Sequence, residues 1–309
     1  DIKSGISSLS AEGVASMTNA AAVTAKATKS NIATMTNLFA TGYGTFKRQF
    51  AGMNDQAFGN MFASSIANAV QMFKTTGDKM QQAISSAGSM ATNLGMSMAD
   101  QFTTLGMLQQ TMEAGEAGTS LKSFSENAAK AQAAFDKLGN GVKILDSNGK
   151  LRSMTDIMQS LKKAYGGTLD ASKAYQIQQA FGTSEAMKLI SNLWSSTDAF
   201  KANSAAMDQA GKSGLGVASA MAKAAQDNYA DKLKLMHQQF DDLRITVGNA
   251  LIPVLLKLMA TLGPLITRFS EWIGKHKSLA SGIGIAVLAI GGLAAVIAPL
   301  ALAFSAILG

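Results

Sequence analysis

From Phe46 onward, apolar side chains return at steps of three to five residues: Phe46, Phe50, Met53, Phe58, Phe62, Ile66, Val70 and Phe73. That spacing lines one face of an α-helix and predicts a stripe turned toward a partner surface. After an interruption at Gly77-Asp78 a second series, from Met80 and Ile84 through Met98 and Phe102 to Leu108, continues with similar spacing. The Met/Phe stripe has two readings: the core of one folded chain, or a seam shared by identical copies in a bundle. Residues 1–40 carry a sparser series (Leu9, Met17, Val23, Ile32, Met35, Leu38) that predicts one or two weakly amphipathic helices, broken by Thr41-Gly42-Tyr43-Gly44.

Further on, Glu113-Ala114-Gly115-Glu116-Ala117-Gly118-Thr119-Ser120 reads as a joint. Its glycines loosen a helix or let another backbone approach closely, and Thr119 or Ser120 can cap a helix from Leu121 to Leu138. Residues 139–153 differ in kind. Val142, Ile144 and Leu145 are followed by Asn148-Gly149 and Leu151, and Asn-Gly between short apolar runs predicts a β-hairpin. Ser153 with Asp156 three residues on resembles a capping box and opens a helix to about Tyr165, ended by Gly166-Gly167. Helices over Asp170–Phe181 and Thr183–Trp194 follow, then a polar loop or loose helix over 198–216. A long helix is expected from Val217 past Leu251. No period of twenty to fifty residues repeats, which argues against a solenoid.

Composition agrees with helices. Only 15% of residues are charged, against roughly 25% in typical soluble chains, and 47% are hydrophobic but only 6% aromatic. The three prolines (Pro253, Pro264, Pro299) all follow position 250. Such a chain lacks the β-branched and aromatic content of a sheet protein. It has no cysteine, so disulfides and thiolate metal sites are excluded. The net charge of +7 is spread singly or in pairs such as Lys47-Arg48 and Lys162-Lys163. No basic stripe interleaved with aromatics points to sequence-specific nucleic-acid binding, although a mildly positive surface suits a negatively charged partner. The chain begins at Asp1, and a processed product or fragment is the expectation. The polar first thirty residues do not read as a signal peptide.

Chemistry-bearing motifs are weak. Residues Ala206–Ser213 fit a permissive phosphate-loop pattern, but no buried strand precedes them. Gly214-Leu215-Gly216 lacks the third glycine of a dinucleotide fingerprint, and Asp146-Ser147-Asn148-Gly149 lacks the ligands of a calcium loop. His237 and His276 stand alone, and Asp241-Asp242 are adjacent on a helix and diverge. No enzyme, cofactor or metal is expected.

The strong signal is the end of the chain. No charge occurs after Lys277, and the run from Leu279 to Leu308 exceeds the about twenty residues that cross a ~30 Å hydrocarbon layer. Arg268, Trp272, Lys275 and Lys277 precede it as candidate interface anchors. Gly284, Gly291 and Ala298, with Ala295 near them, offer small residues for close helix packing, and Pro299 adds a kink. The other reading is a core helix sealed in an assembly. Residues Ile245–Ile266, interrupted by Pro253, Lys257 and Pro264, read as its partner in an apolar helical hairpin or as an interfacial segment.

Together these pieces resemble the tape measure proteins of long-tailed bacteriophages. The resemblance lies in LGMLQQTMEAGEAGTSLKSF (Leu105–Phe124), LDSNGKLRSMTDIMQSL (Leu145–Leu161), AFGTSEAMKLISNL (Ala180–Leu193) and DDLRITVGNALIPVL (Asp241–Leu255), in that order, with Phe58–Ile84 upstream. It covers most of residues 14–260. The resemblance implies a non-enzymatic virion protein packed as several copies in the tail tube, which sets tail length. Its partners would be tail tube and baseplate or tail-tip proteins. At ejection it would leave ahead of the passing genomic DNA, its hydrophobic segment entering the host inner membrane. A stand-alone pore-forming or holin-like membrane protein is the alternative, for which only the apolar end argues.

The expected fold is therefore all-α: an elongated multi-helix module with one short β-hairpin near 142–152 and a C-terminal apolar helical hairpin. Three regions are expected: oligomerising amphipathic helices over 1–112, a family core over 113–244 and a membrane-competent segment over 245–309. A ruler needs uninterrupted helix, so the glycine joints predict a compact module here, with any ruler elsewhere in a longer parent chain.

Overall fold

The computed structural model describes residues 9–226 and, beyond them, the separate positions 257, 260, 263, 264, 267, 268 and 271. Residues 1–228 form one compact unit and 229–309 a second. The first is built from α1 (Ala11–Thr28), α2 (Ile32–Phe46), a 3₁₀ turn (Lys47–Phe50), α3 (Asp55–Phe73), α4 (Gly77–Ala87), the single turn α5 (Met90–Asn93) and α6 (Met98–Leu108). It continues with α7 (Ala114–Glu126), α8 (Ala128–Leu138), α9 (Met154–Tyr165), α10 (Ala171–Phe181), α11 (Ser184–Trp194), α12 (Thr197–Lys212) and α13 (Gly216–Gln226).

No proline lies in this region, so the helix ends are set by side-chain caps and left-handed residues. Ser10, Asn54, Thr76, Ser97, Ser153, Asp170 and Thr183 each accept from a backbone N–H in the first turn of the helix that follows. The Ser153 cap, accepting from the Asp156 N–H at 3.1 Å, is the one the sequence pattern picked out. Two lysines, Lys29 and Lys74, take the left-handed conformation that closes α1 and α3.

The Met/Phe stripe is core. Phe39, Phe46, Phe58, Phe62 and Phe102 are fully buried, and Phe62 lies at the centre of this group. It meets Phe39 edge-on at 5.1 Å, Phe102 at 5.8 Å and Phe58 nearly parallel at 5.9 Å. Each fully buried ring of this kind contributes roughly 1.5–3 kcal/mol by leaving water. A second aromatic group, Phe124, Phe135 and Phe181, ties α7, α8 and α10 together. Helices α1, α3 and α13 pack together, α12 lies against α3 and α6, and α4 against α7.

The β-hairpin expected near 142–152 is overturned: among the described residues there is no strand. The segment makes one isolated antiparallel bridge, Leu145 to Leu151. The turn itself forms, with Asp146 N–H bonded to Lys150 O at 2.8 Å and Gly149 left-handed at φ 73°. Pairing reaches only as far as the Arg152 N–H bonded to Ile144 O at 3.0 Å, because α8 takes the Ile144 N–H that the next rung would have used, and the outward-facing groups bond helices rather than a further strand. Gln132 Oε1 of α8 accepts from the N–H groups of Ile144 and Leu145, at 2.8 and 3.1 Å, and Ser160 Oγ of α9 accepts from Lys143 N–H at 2.8 Å. On the other arm, Leu151 N–H goes to Leu94 O at 2.8 Å. The segment is a strap laid over helices.

Other differences are local. Helix α2 runs through Gly42 and Gly44 where a break was expected; the glycine at 42 serves packing, since a Cβ there would overlap the Phe62 ring. The helix expected over 121–138 begins at Ala114 and divides at Asn127. Residues 197–212 are regular helix, so the phosphate-loop pattern over 206–213 falls within α12 and its first loop turn. Among the described residues no helix is long and apolar enough to cross a membrane.

Candidate functional site

The described residues hold a cleft of about 1160 Å³. Its floor is methionine-rich: Met53, Met61, Met98 and Met207, joined by Phe50. Met61 and Met207 come from the facing sides of α3 and α12, which pack together. Met98 is contributed by the first turn of α6, and Phe50 and Met53 by the 3₁₀ turn and the link to α3.

Charge gathers at the rim. Arg48, Lys150 and Lys212 line the cleft with a single carboxylate, Asp208, which Lys212 engages at 2.6 Å along α12. The Arg48 guanidinium donates to the Asn93 side-chain oxygen at 3.1 Å. Lys150 reaches the rim because its stem crosses Gly95, whose φ of 89° excludes other residues without strain. The strap thus carries a cation to the cleft.

Beside the cleft, Asp100 joins three helices. Placed in the first turn of α6 and nearly buried, its carboxylate accepts from Met154 N–H at 3.1 Å, the start of α9, and from Ser204 Oγ of α12 at 2.5 Å. A carboxylate at a helix N-terminus satisfies an otherwise unpaired donor and faces the positive end of the dipole. The tip of the strap is closed by Asp146, which accepts from Asn148 and Lys150 N–H. These bonds, chiefly the one from Lys150, hold its carboxyl below the usual carboxylate value.

Among the described residues no group of three or more His, Cys, Asp or Glu is arranged to hold a metal ion. Of the residues singled out at the apolar end, Arg268 is helical and exposed. Trp272, Lys275, Lys277, Gly284, Gly291, Ala295, Ala298 and Pro299 lie outside the described residues, as do His237 and His276. The cleft was not legible in the sequence, since its lining comes from four separate segments. Asp100 could have been: it is a charge set among Met98, Phe102 and Leu105 in an apolar stripe.

Comparison with known proteins places this helical unit. The family model described as phage-related minor tail protein matches residues 2–182, more than half of the chain. The chain belongs to the phage-related minor tail protein family. The chain is similar to the tape measure protein of Pneumococcus phage Dp-1, 24% identical over 62% of this chain and 16% of that protein. It is also similar to the probable tape measure protein of Escherichia phage P2, 27% identical over 67% of this chain and 26% of the relative. These relatives support the resemblance to tape measure proteins read from the sequence. The chain spans about a sixth to a quarter of their length. No solved structure matches it. As a member of this family it has a structural role in a phage tail and belongs to the virion.

Proposed function

We propose that these residues are a compact region of a tape measure protein, carried inside the tail rather than stretched along it. What carries the reading is the match over residues 2–182 together with relatives named as tape measure proteins. A ruler sets length because a continuous helix rises about 1.5 Å per residue. Residues 9–226 instead turn back on themselves through many short helices, so this region does not serve as the ruler. Several copies would pack together in the tube and meet the tube and tail-tip proteins there.

The apolar run after Lys277 supports a second step, entry into the host membrane on ejection. In that reading Arg268, Trp272, Lys275 and Lys277 sit at the interface, Gly284, Gly291, Ala295 and Ala298 form the close-packing face, and Pro299 kinks the helix. The full chain, added to liposomes, is expected to release an entrapped dye. A version ending at Lys277 is expected not to. Equal leakage from both would remove the membrane step. For the tail role, antibody against the chain should label tails in electron micrographs; label confined to capsids would remove it.

A further inference from the structure

The methionine-floored cleft has a floor and a rim of opposite character, and nothing in the tail reading uses either. At about 1160 Å³ it exceeds the roughly 300–1,000 Å³ of small-molecule pockets. Methionine side chains are unbranched and polarizable, so a floor of Met53, Met61, Met98 and Met207 adapts to apolar side chains of varied shape. The rim selects charge. Asp208, the one lining carboxylate, is already engaged by Lys212. Among the described residues Arg48 is bound only by a neutral amide, and no carboxylate lies within 4 Å of the Lys150 ammonium. Asp146, which shares the field of Lys150, turns its Oδ1 to two backbone N–H groups at the strap tip and makes no ion pair with the Lys150 ammonium. The Lys150 stem runs over Gly95, which directs that cation toward the rim.

We propose that this cleft docks an acidic amphipathic helix of another protein chain. Its apolar side chains would enter the methionine floor and its carboxylates would meet Arg48 and Lys150. This is helix-in-groove recognition with the charge of the rim setting partner choice. The proposal does not depend on the tape measure reading, since it uses only the cleft.

The test uses the whole 309-residue chain and two fluorescent synthetic helices of about twenty residues, matched in leucine stripe, one flanked by glutamates and the other by lysines. Anisotropy should show binding of the acidic helix, weakened by added salt, and little binding of the basic one. Arg48→Gln with Lys150→Gln, both exposed and outside the core, should weaken binding at least tenfold while the circular dichroism stays unchanged. Met53→Lys, placing a charge on the floor, should weaken it similarly. Equal binding of the two helices, binding of neither, or an unchanged affinity in the double variant would overturn the proposal. So would self-association of the chain that the double variant abolishes, because a second copy would then hold the cleft. Binding of vesicles rich in anionic lipid that the double variant abolishes, with exclusion of the acidic helix, would place a membrane there and overturn it too.

Discussion

Gly118 of α7 lies directly on the carbonyl oxygen of Ala83 in α4, so close that a Cβ at Gly118 would overlap backbone. The glycine-rich stretch Glu113–Ser120 therefore serves close backbone approach, one of the two roles its sequence offered. A backbone neighbour cannot turn aside as a side chain can. Gly118→Ala is predicted to cost about 1–3 kcal/mol of stability. Gly115→Ala, whose Cβ would meet the mobile end of Gln82 at 3.2 Å, should change stability far less. Urea unfolding of the two variants checks the contrast; equal midpoints would show that the α4–α7 contact is loose.

Tyr43 donates to Asp55 at 2.8 Å, linking α2 to α3, and its pKa is raised to about 12, first by burial and then by the Asp55 hydrogen bond and charge. The neutral phenol is the form the fold favours. Its contribution is complete below pH 10 and is lost as the pH rises toward 12. In an alkaline titration followed by tyrosinate absorbance, the last component should disappear in Tyr43→Phe. Loss of a component near pH 10 instead would contradict the assignment.

Asp100→Ala would strand the Met154 N–H and the Ser204 hydroxyl. The expected loss is about 1–3 kcal/mol, with a smaller loss for Asp100→Asn, which keeps an acceptor. Chemical denaturation distinguishes the two. Equal losses would show that the charge, rather than the acceptor, matters.

Gln132→Ala removes the acceptor shared by Ile144 and Leu145. Hydrogen exchange at those two amides should accelerate by an order of magnitude or more while exchange in α8 holds. Acid should loosen the same strap from its other end. The Asp146 contribution is complete above its ordinary value of 3.8 and is lost as the pH falls through the lower folded one.

Sequence patterning located most helices because apolar spacing and capping residues act locally. Ser153, Asp170 and Thr183 open helices within a residue of where the pattern put them. The failures have a common cause in distant partners. Asn148-Gly149 does make a turn, but whether strands grow from it depended on Gln132, which no local signal shows taking the Ile144 N–H from the ladder. Gly42 reads as a breaker until Phe62 is seen to fill the space its missing Cβ leaves. Likewise the cleft is assembled from segments far apart in sequence, and no local pattern brings them together.

The central claim, that residues 9–226 are a compact tail region and not the ruler, is tested most directly by tail length. An insert of about 14 helix-forming residues between Ser147 and Asn148, at the exposed tip of the strap, should leave the tail unchanged in electron micrographs. The same insert in a continuous helical part of the tape measure should lengthen it by roughly 21 Å. A tail lengthened by the strap insert would contradict the account.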